Sequence, residues 1–235
     1  MELGQLTTDE AIAFENKYGA HNYHPLPVVL DRGEGVYVWD VEGKKYFDFL
    51  SAYSAVNQGH CHPRIVDAMV EQAKRLTLTS RAFFNSRLGE YEKFVTEYFS
   101  FDKVLPMNSG AEAVETAIKI ARKYGYEKMG VTPDRAKIIV ANDNFHGRTT
   151  TIVSFSNDQD ARKNFGPYTP GFESIAYNDL DALSNPVKEE NVVAFLVEPI
   201  QGEAGVNTPA DDYIQKAKAV CAENNVLFIA DEIQT

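Results

Sequence analysis

Long hydrophobic runs, cysteine and positive charge are all scarce in this 235-residue chain. The longest unbroken apolar run is Val192–Val197, far short of the roughly 20 apolar residues that a membrane-spanning helix needs. Two cysteines, Cys61 and Cys221, are too few for a disulfide framework, and neither belongs to a C-x-x-C pair. With 23 Lys and Arg against 34 Asp and Glu the formal charge is −11, which counts against a nucleic-acid partner. No basic, apolar leader precedes the first helix, and no short repeat is visible. The expectation from these absences is a cytoplasmic protein with no membrane segment and no secretory signal. What is present is 44% hydrophobic and 24% charged residues, the balance of a globular chain, in a length that suits one large domain or a domain with an appendage.

The N-terminal quarter reads as a helix over residues 8–18 with Thr8 as a cap, then an extended stretch held by Pro25 and Pro27. Residues 36–40 and 45–50 flank a Gly43-containing turn and read as a β-hairpin. From Pro63 onward helices alternate with short apolar strands. Helices are expected at about 63–75, 88–99, 110–125 and 211–224, and strands at 137–141, 151–155, 192–197 and 226–230. The last two strands are continuous apolar runs, as strands buried on both faces tend to be. Alternation of this kind predicts an α/β domain with a parallel sheet covered by helices on both sides. The chain stops at Asp231-Glu232-Ile233-Gln234-Thr235, right after an apolar strand and where a ligand site is usually completed, so a fragment is expected.

Ser109, Gly110, Ala111 and Glu112 open the helix at 110. Ser109 with Glu112 fits a capping box and nothing more. Alternatively, the open N–H groups and positive helix end form an anion site for a phosphate. Neither G-x-G-x-x-G, a Walker loop nor a G-x-S-x-G elbow is present. Phe145, His146 and Arg148 follow the strand at 137–141 within a few residues. Arg148 could fork onto a carboxylate or make an ordinary surface salt bridge. Glu198 and Glu203 follow the strand at 192–197, and Asp231 and Glu232 follow the last strand. A carboxylate at a buried strand end calls for a cationic partner, which a protonated cofactor ring nitrogen could supply. His60-Cys61-His62 is a weak metal signal with no cluster to complete it.

Taken in order, residues 19–27, 54–63, 76–83, 107–112, 144–148, 197–205 and 230–235 resemble the class III pyridoxal-phosphate aminotransferases, and among them the branch that acts on the δ-amine of ornithine. The resemblance covers nearly the whole chain. It implies the pyridoxal-phosphate transferase fold type I, with a large domain built on a mainly parallel sheet sandwiched by helices, plus an N-terminal helix and β-hairpin. Residues 1–55 would belong to the small domain and residues 56–235 to the large one. It implies pyridoxal 5'-phosphate as cofactor, its phosphate held by Ser109, Gly110 and Ala111, its ring stacked on Phe145 and its ring nitrogen paired with Asp231. Gln234 would bond the phenolic oxygen. Tyr23, Tyr53 and Arg148 would grip the α-amino and α-carboxylate groups of L-ornithine, leaving its δ-amine to react. Glu203 would act as a gate, pairing with a downstream arginine and releasing it for 2-oxoglutarate. His146 is given a modest role.

The reaction implied is ping-pong transfer of the δ-amino group to 2-oxoglutarate, giving glutamate-5-semialdehyde, which cyclises toward proline, and glutamate. A homodimer with the active site at the subunit interface is also implied. The family's cofactor-bound lysine is expected beyond Thr235, since none of the fourteen lysines stands at a matching place. The chain by itself is therefore expected to be inactive. One alternative is an acetylornithine or 4-aminobutyrate aminotransferase, against which Tyr23 and Tyr53 argue. Another is a non-catalytic fragment that binds phosphate compounds or a partner subunit, with an apolar face prone to association.

Overall fold

Two adjacent threonines decide where the first helix begins. In the computed structural model, which describes residues 6–235, Thr7 rather than Thr8 caps α1 (Thr8–Tyr18). The Thr7 hydroxyl accepts the Glu10 N–H and the Glu10 carboxylate accepts the Thr7 N–H, a reciprocal capping box. Thr8 instead donates its hydroxyl to Glu42 at 2.6 Å. The expected cap is thus corrected by one residue.

By its contacts the chain divides into two units, Met1–Ser100 and Phe101–Thr235. Residues 56–100 group with the N-terminal unit, so a division after residue 55 stays a proposal about the assembled protein. After α1 the N-terminal unit holds β1 (Leu30–Glu34), β2 (Tyr37–Asp40) and β3 (Lys45–Phe47), antiparallel in the order β1-β2-β3. The expected hairpin is β2–β3. Its turn is fixed by Asp40, whose carboxylate accepts the Glu42 and Lys44 N–H groups and the Tyr46 hydroxyl. Strand β1 was not expected, because Leu30-Asp31-Arg32-Gly33-Glu34 carries no apolar alternation. Two helices complete the unit, α2 (Pro63–Arg75) and α3 (Leu88–Phe99).

The C-terminal unit runs α4 (Gly110–Tyr124), β4 (Lys137–Ala141), α5 (Thr150–Val153), α6 (Gln159–Arg162), β5 (Phe172–Ile175), α7 (Leu180–Ser184), β6 (Val192–Val197), α8 (Tyr213–Glu223) and β7 (Leu227–Ala230). The strand expected at 151–155 is a correction. That stretch is the helical turn α5, capped by the Thr149 hydroxyl, which accepts the Ile152 N–H at 3.2 Å. Four β-branched and apolar residues cannot be told from a strand by pattern alone, and the cap decides.

The sheet order is β5-β4-β6-β7 and every pair is parallel. Alternate residues face opposite ways, as a pleated strand requires. Ile138, Val140, Ala194 and Leu196 pack with Val114, Ile118 and Ala121 of α4. Ile139, Ala141, Phe195 and Val197 pack with Leu183 of α7 and Ala217 and Cys221 of α8. Burial pushes the Cys221 thiol up to about 12, which leaves it a packing residue rather than a nucleophile. All six residues of β6 are buried. Within this chain β7 is the outer strand of the sheet, its residues half-buried and Ala230 exposed.

Candidate active site

Strands β4, β6 and β7 run side by side in one direction, so the segments after Ala141, Val197 and Ala230 leave the sheet along the same edge. Ligands of open α/β sheets bind at that edge. Behind β4 the chain is tied residue by residue. The Asn142 N–H donates to the Ile175 carbonyl at 2.7 Å, and the Asp143 N–H to Asn157 Oδ1 at 2.8 Å. The Asn144 amide donates to the Ala141 carbonyl at 2.6 Å, and the Phe145 N–H to Glu198 Oε2 at 3.0 Å. His146 then meets Asp231 through Nδ1 at 2.6 Å.

The His146 and Asp231 side chains are 0% and 5% exposed. Facing a carboxylate, Nδ1 carries the ring proton and donates it, which fixes the tautomer. The other ring nitrogen, Nε2, is buried and meets no hydrogen-bond partner among the described residues. Asp231 also accepts the Ile233 N–H through Oδ1 at 3.2 Å, so both of its oxygens are engaged. Glu198 is buried beside them. Burial pushes its carboxyl above the ordinary range and the Asp231 charge adds to that, against the pull of the Phe145 N–H and of His146.

The first turn of α4 closes the arrangement. The Ser109 hydroxyl accepts the Glu112 N–H at 3.3 Å, while the Glu112 carboxylate takes the Asn108 N–H at 2.8 Å, one residue before its partner in a reciprocal box. Two glycines mark how closely the segments approach. A Cβ on Gly110 would lie 3.0 Å from the Ile233 side chain. A Cβ on Gly147, whose φ is +122°, would lie 3.0 Å from the Ala111 Cβ. Ser109, Gly110 and Ala111 therefore adjoin both the 145–148 turn and the segment after Asp231. The guanidinium of Arg148 lies 5.9 Å from the Phe145 ring centroid. The Gln234 amide donates to Glu203 Oε1 at 3.3 Å. A cavity of about 300 Å³ is lined by Phe145, His146, Gly147 and Glu203 among others.

Tyr23 and Tyr53 belong to the N-terminal unit and both are 54% exposed. Tyr23 lines a cavity of about 520 Å³ formed by α1 and the extended stretch that follows it. Tyr53 stands in a run of left-handed backbone, Ser51 to Ser54. Sequence reasoning gave Glu198 no particular task and did not foresee the His146–Asp231 pair. The signal that could have found both is their common place just past parallel strands, where buried polar groups must find partners.

A parallel sheet with a helix N-terminus and a buried acid at its carboxyl edge is the frame of a cofactor-binding transferase, and comparison with known proteins specifies which. The family model described as aminotransferase class-III matches residues 18–235, and the chain belongs to that family. It is 61% identical over 228 residues to the mitochondrial ornithine aminotransferase of Drosophila ananassae, covering 97% of this chain and 53% of that protein. Among solved structures, the ornithine aminotransferase of Toxoplasma gondii superimposes with a TM-score of 0.96 at 51% identity, covering 97% of this chain and 54% of that one. That crystal structure is described with partial occupancy of PLP at its active site. An acetylornithine aminotransferase from Elizabethkingia anophelis gives a TM-score of 0.86 at 64% identity, covering 97% and 56%. The chain thus spans about half the length of the relatives it matches.

The expectation of a cytoplasmic protein is overturned. The Drosophila relative is named mitochondrial, and so is that of the rat. A low cysteine count fits any reducing compartment and does not select the cytoplasm.

Proposed function

We propose that the protein is a pyridoxal-phosphate-dependent transaminase that moves the δ-amino group of L-ornithine to 2-oxoglutarate, giving glutamate-5-semialdehyde and glutamate. The proposal concerns the whole protein, since this chain spans about half the length of its relatives. The observation that carries it is the buried His146–Asp231 pair set at the strand ends beside the first turn of α4.

The residues present fit the cofactor. Asp231 is buried with both oxygens hydrogen-bonded, and a cation brought against it would offset the cost of burying its charge. A protonated pyridine nitrogen is such a cation. The N–H groups behind Ser109 suit a phosphate, because the helix end is positive there. Phe145 would lie against the ring and Gln234 would bond its phenolic oxygen. Bound there, the cofactor supplies an electron sink for loss of a proton next to the transferred nitrogen. The chain's own residues orient and select. His146 holds Asp231 in one rotamer. Arg148, Tyr23 and Tyr53 would hold the α-amino and α-carboxylate end of ornithine, so that the δ-amine is the one presented. Glu203 would gate access of the keto acid.

The test is a substrate panel with the purified full-length protein, pyridoxal phosphate and 2-oxoglutarate. L-Ornithine is expected to give the cyclised semialdehyde faster than N-acetylornithine or 4-aminobutyrate gives its product. A second reading, an acetylornithine aminotransferase, is favoured by the 64% identity to the Elizabethkingia enzyme, and a preference for N-acetylornithine would establish it instead.

A homodimer forms part of the same proposal. Its support is the set of large apolar side chains left exposed in the N-terminal unit, such as Phe84, Phe94 and Tyr98. Sedimentation of the full-length protein decides it, a single monomeric species being the adverse result.

A further inference from the structure

Glu198 is an acid buried to 6% exposure at the end of the central strand β6. Among the described residues it has no salt-bridge partner. Burying a carboxylate without a cation is costly, and an apolar side chain of the same size would usually serve a core better. What Glu198 does have is backbone N–H groups, that of Phe145 at 3.0 Å and, as a weaker contribution, that of Gly202. Among the described hydrogen bonds the first of these is the one that holds the Phe145 backbone. Its neighbours are tied elsewhere, Asn142 to β5, Asp143 to Asn157 and His146 to Asp231. The turn is bent on either side of Phe145 by left-handed residues, Asp143 at φ +59° and Gly147 at φ +122°. No regular ladder sets the direction of the ring.

We propose that Glu198 is a positioning residue, whose buried carboxylate holds the Phe145 backbone and so aims the aromatic ring at the cofactor face. This rests on the transaminase reading above and assigns the acid a task in that site. Glu198 touches neither substrate nor reacting atoms; it acts through Phe145. An acceptor is what the task requires, so an amide oxygen serves and a shorter or apolar side chain does not.

The experiment compares Glu198→Gln, Glu198→Met and Glu198→Asp in the full-length protein, by amide hydrogen exchange without cofactor and by visible circular dichroism with pyridoxal phosphate. Glu198→Gln is expected to leave Phe145 exchange within about 3-fold of wild type and to keep the cofactor's dichroic band. Glu198→Met and Glu198→Asp are expected to speed exchange at Phe145 by about 10-fold or more, the scale of one lost hydrogen bond, while Phe195 and Leu196 stay protected. Both should lose the band and weaken cofactor binding about 10-fold. Glu198→Asp keeps the charge and adds no apolar bulk, so the question is answered even if Glu198→Met does not fold. Unchanged protection at Phe145 in Glu198→Asp would overturn the proposal. So would loosening of β6 to the same degree, which would make Glu198 a general structural pin. If wild type binds no pyridoxal phosphate the transaminase reading fails, while the exchange data still decide whether Glu198 holds Phe145.

Discussion

The two units of this chain use similar amphipathic sequences and bury them very differently. In the C-terminal unit α4 and α8 press apolar stripes onto the sheet, and β6 is buried along its whole length. In the N-terminal unit α1, α2 and α3 bury no residue at all, and Val38 is the one buried hydrophobic side chain among the described residues. Yet the stripes are there. Ile65 and Met69 lie four apart on α2, and Phe94 and Tyr98 four apart on α3 with their rings stacked at 5.7 Å, all of them exposed. An apolar stripe says that a helix has a face to bury, not what buries it. In one unit the sheet does so. In the other no element of the described residues does.

The largest expected effect tests that contrast directly. Phe195 is fully buried between two helix-covered faces, so Phe195→Ala should cost about 3–5 kcal/mol in denaturant unfolding. Phe94 is 63% exposed, and Phe94→Ala should stay within about 0.5 kcal/mol in dilute solution. Equal costs would break the comparison. If Phe94→Ala weakens self-association while leaving dilute stability alone, the comparison sharpens, because the exposed stripe would then have its cover in a second copy.

Two acids, the buried Glu198 and the half-buried Asp48, one in each unit, should respond to pH with opposite signs. The folded pKa of Glu198 is raised, chiefly by burial, so its ionised form is disfavoured in the fold. The destabilisation is present above the raised folded pKa and vanishes as pH falls through it toward the ordinary 4.5. Glu198→Gln should therefore be more stable than wild type near neutral pH, with the gap closing in acid. Asp48 has a lowered folded pKa, held down first by the Ser51 N–H and then by His60, which meets it at 2.7 Å. Its stabilisation is present above the ordinary 3.8 and is lost as pH falls through the folded value. Asp48→Asn should thus be less stable than wild type near neutral pH, and the gap should also close in acid. Chemical unfolding across a pH series checks both, and like signs for the two variants would contradict the assignment.

How much of this was legible depended on how local the signal was. Helices α2 and α3 were read at their observed bounds, Pro63 serving as the start signal of α2 at its first turn. The parallel sheet followed from the alternation of apolar strands and helices, and the site segments from the rule that ligands gather at strand ends. Misreadings came where two structures share a pattern. Thr150-Thr151-Ile152-Val153 suits a strand as well as a helical turn, and Thr7 and Thr8 suit a cap equally well. The ties that organise the site were not legible at all, because Phe145 and Glu198 stand 53 residues apart and His146 and Asp231 stand 85 apart. No local pattern encodes pairs at that separation.

The smallest expected effect concerns backbone rather than side chains. Left-handed positions in the C-terminal unit are single residues apart from the Gly205–Val206 pair, and mostly Gly, Asp or Asn, which tolerate that conformation. In the N-terminal unit Ser51, Ala52, Tyr53 and Ser54 are all left-handed, with φ between 48° and 71°. Such a run costs roughly 1–2 kcal/mol per ordinary residue, and Ala52 has no side-chain polar group to offset it. Ala52→Gly should therefore raise stability by about 1 kcal/mol, less what glycine adds to the entropy of the unfolded chain. Thermal unfolding measures this, and a destabilised Ala52→Gly would mean that the run is not strained. The same variant bears on function, because strain kept at one place commonly holds a side chain in position. If the left-handed run aims Tyr53 at substrate, Ala52→Gly should raise KM for ornithine while kcat changes little. A gain in stability with KM unchanged would separate the strain from the site.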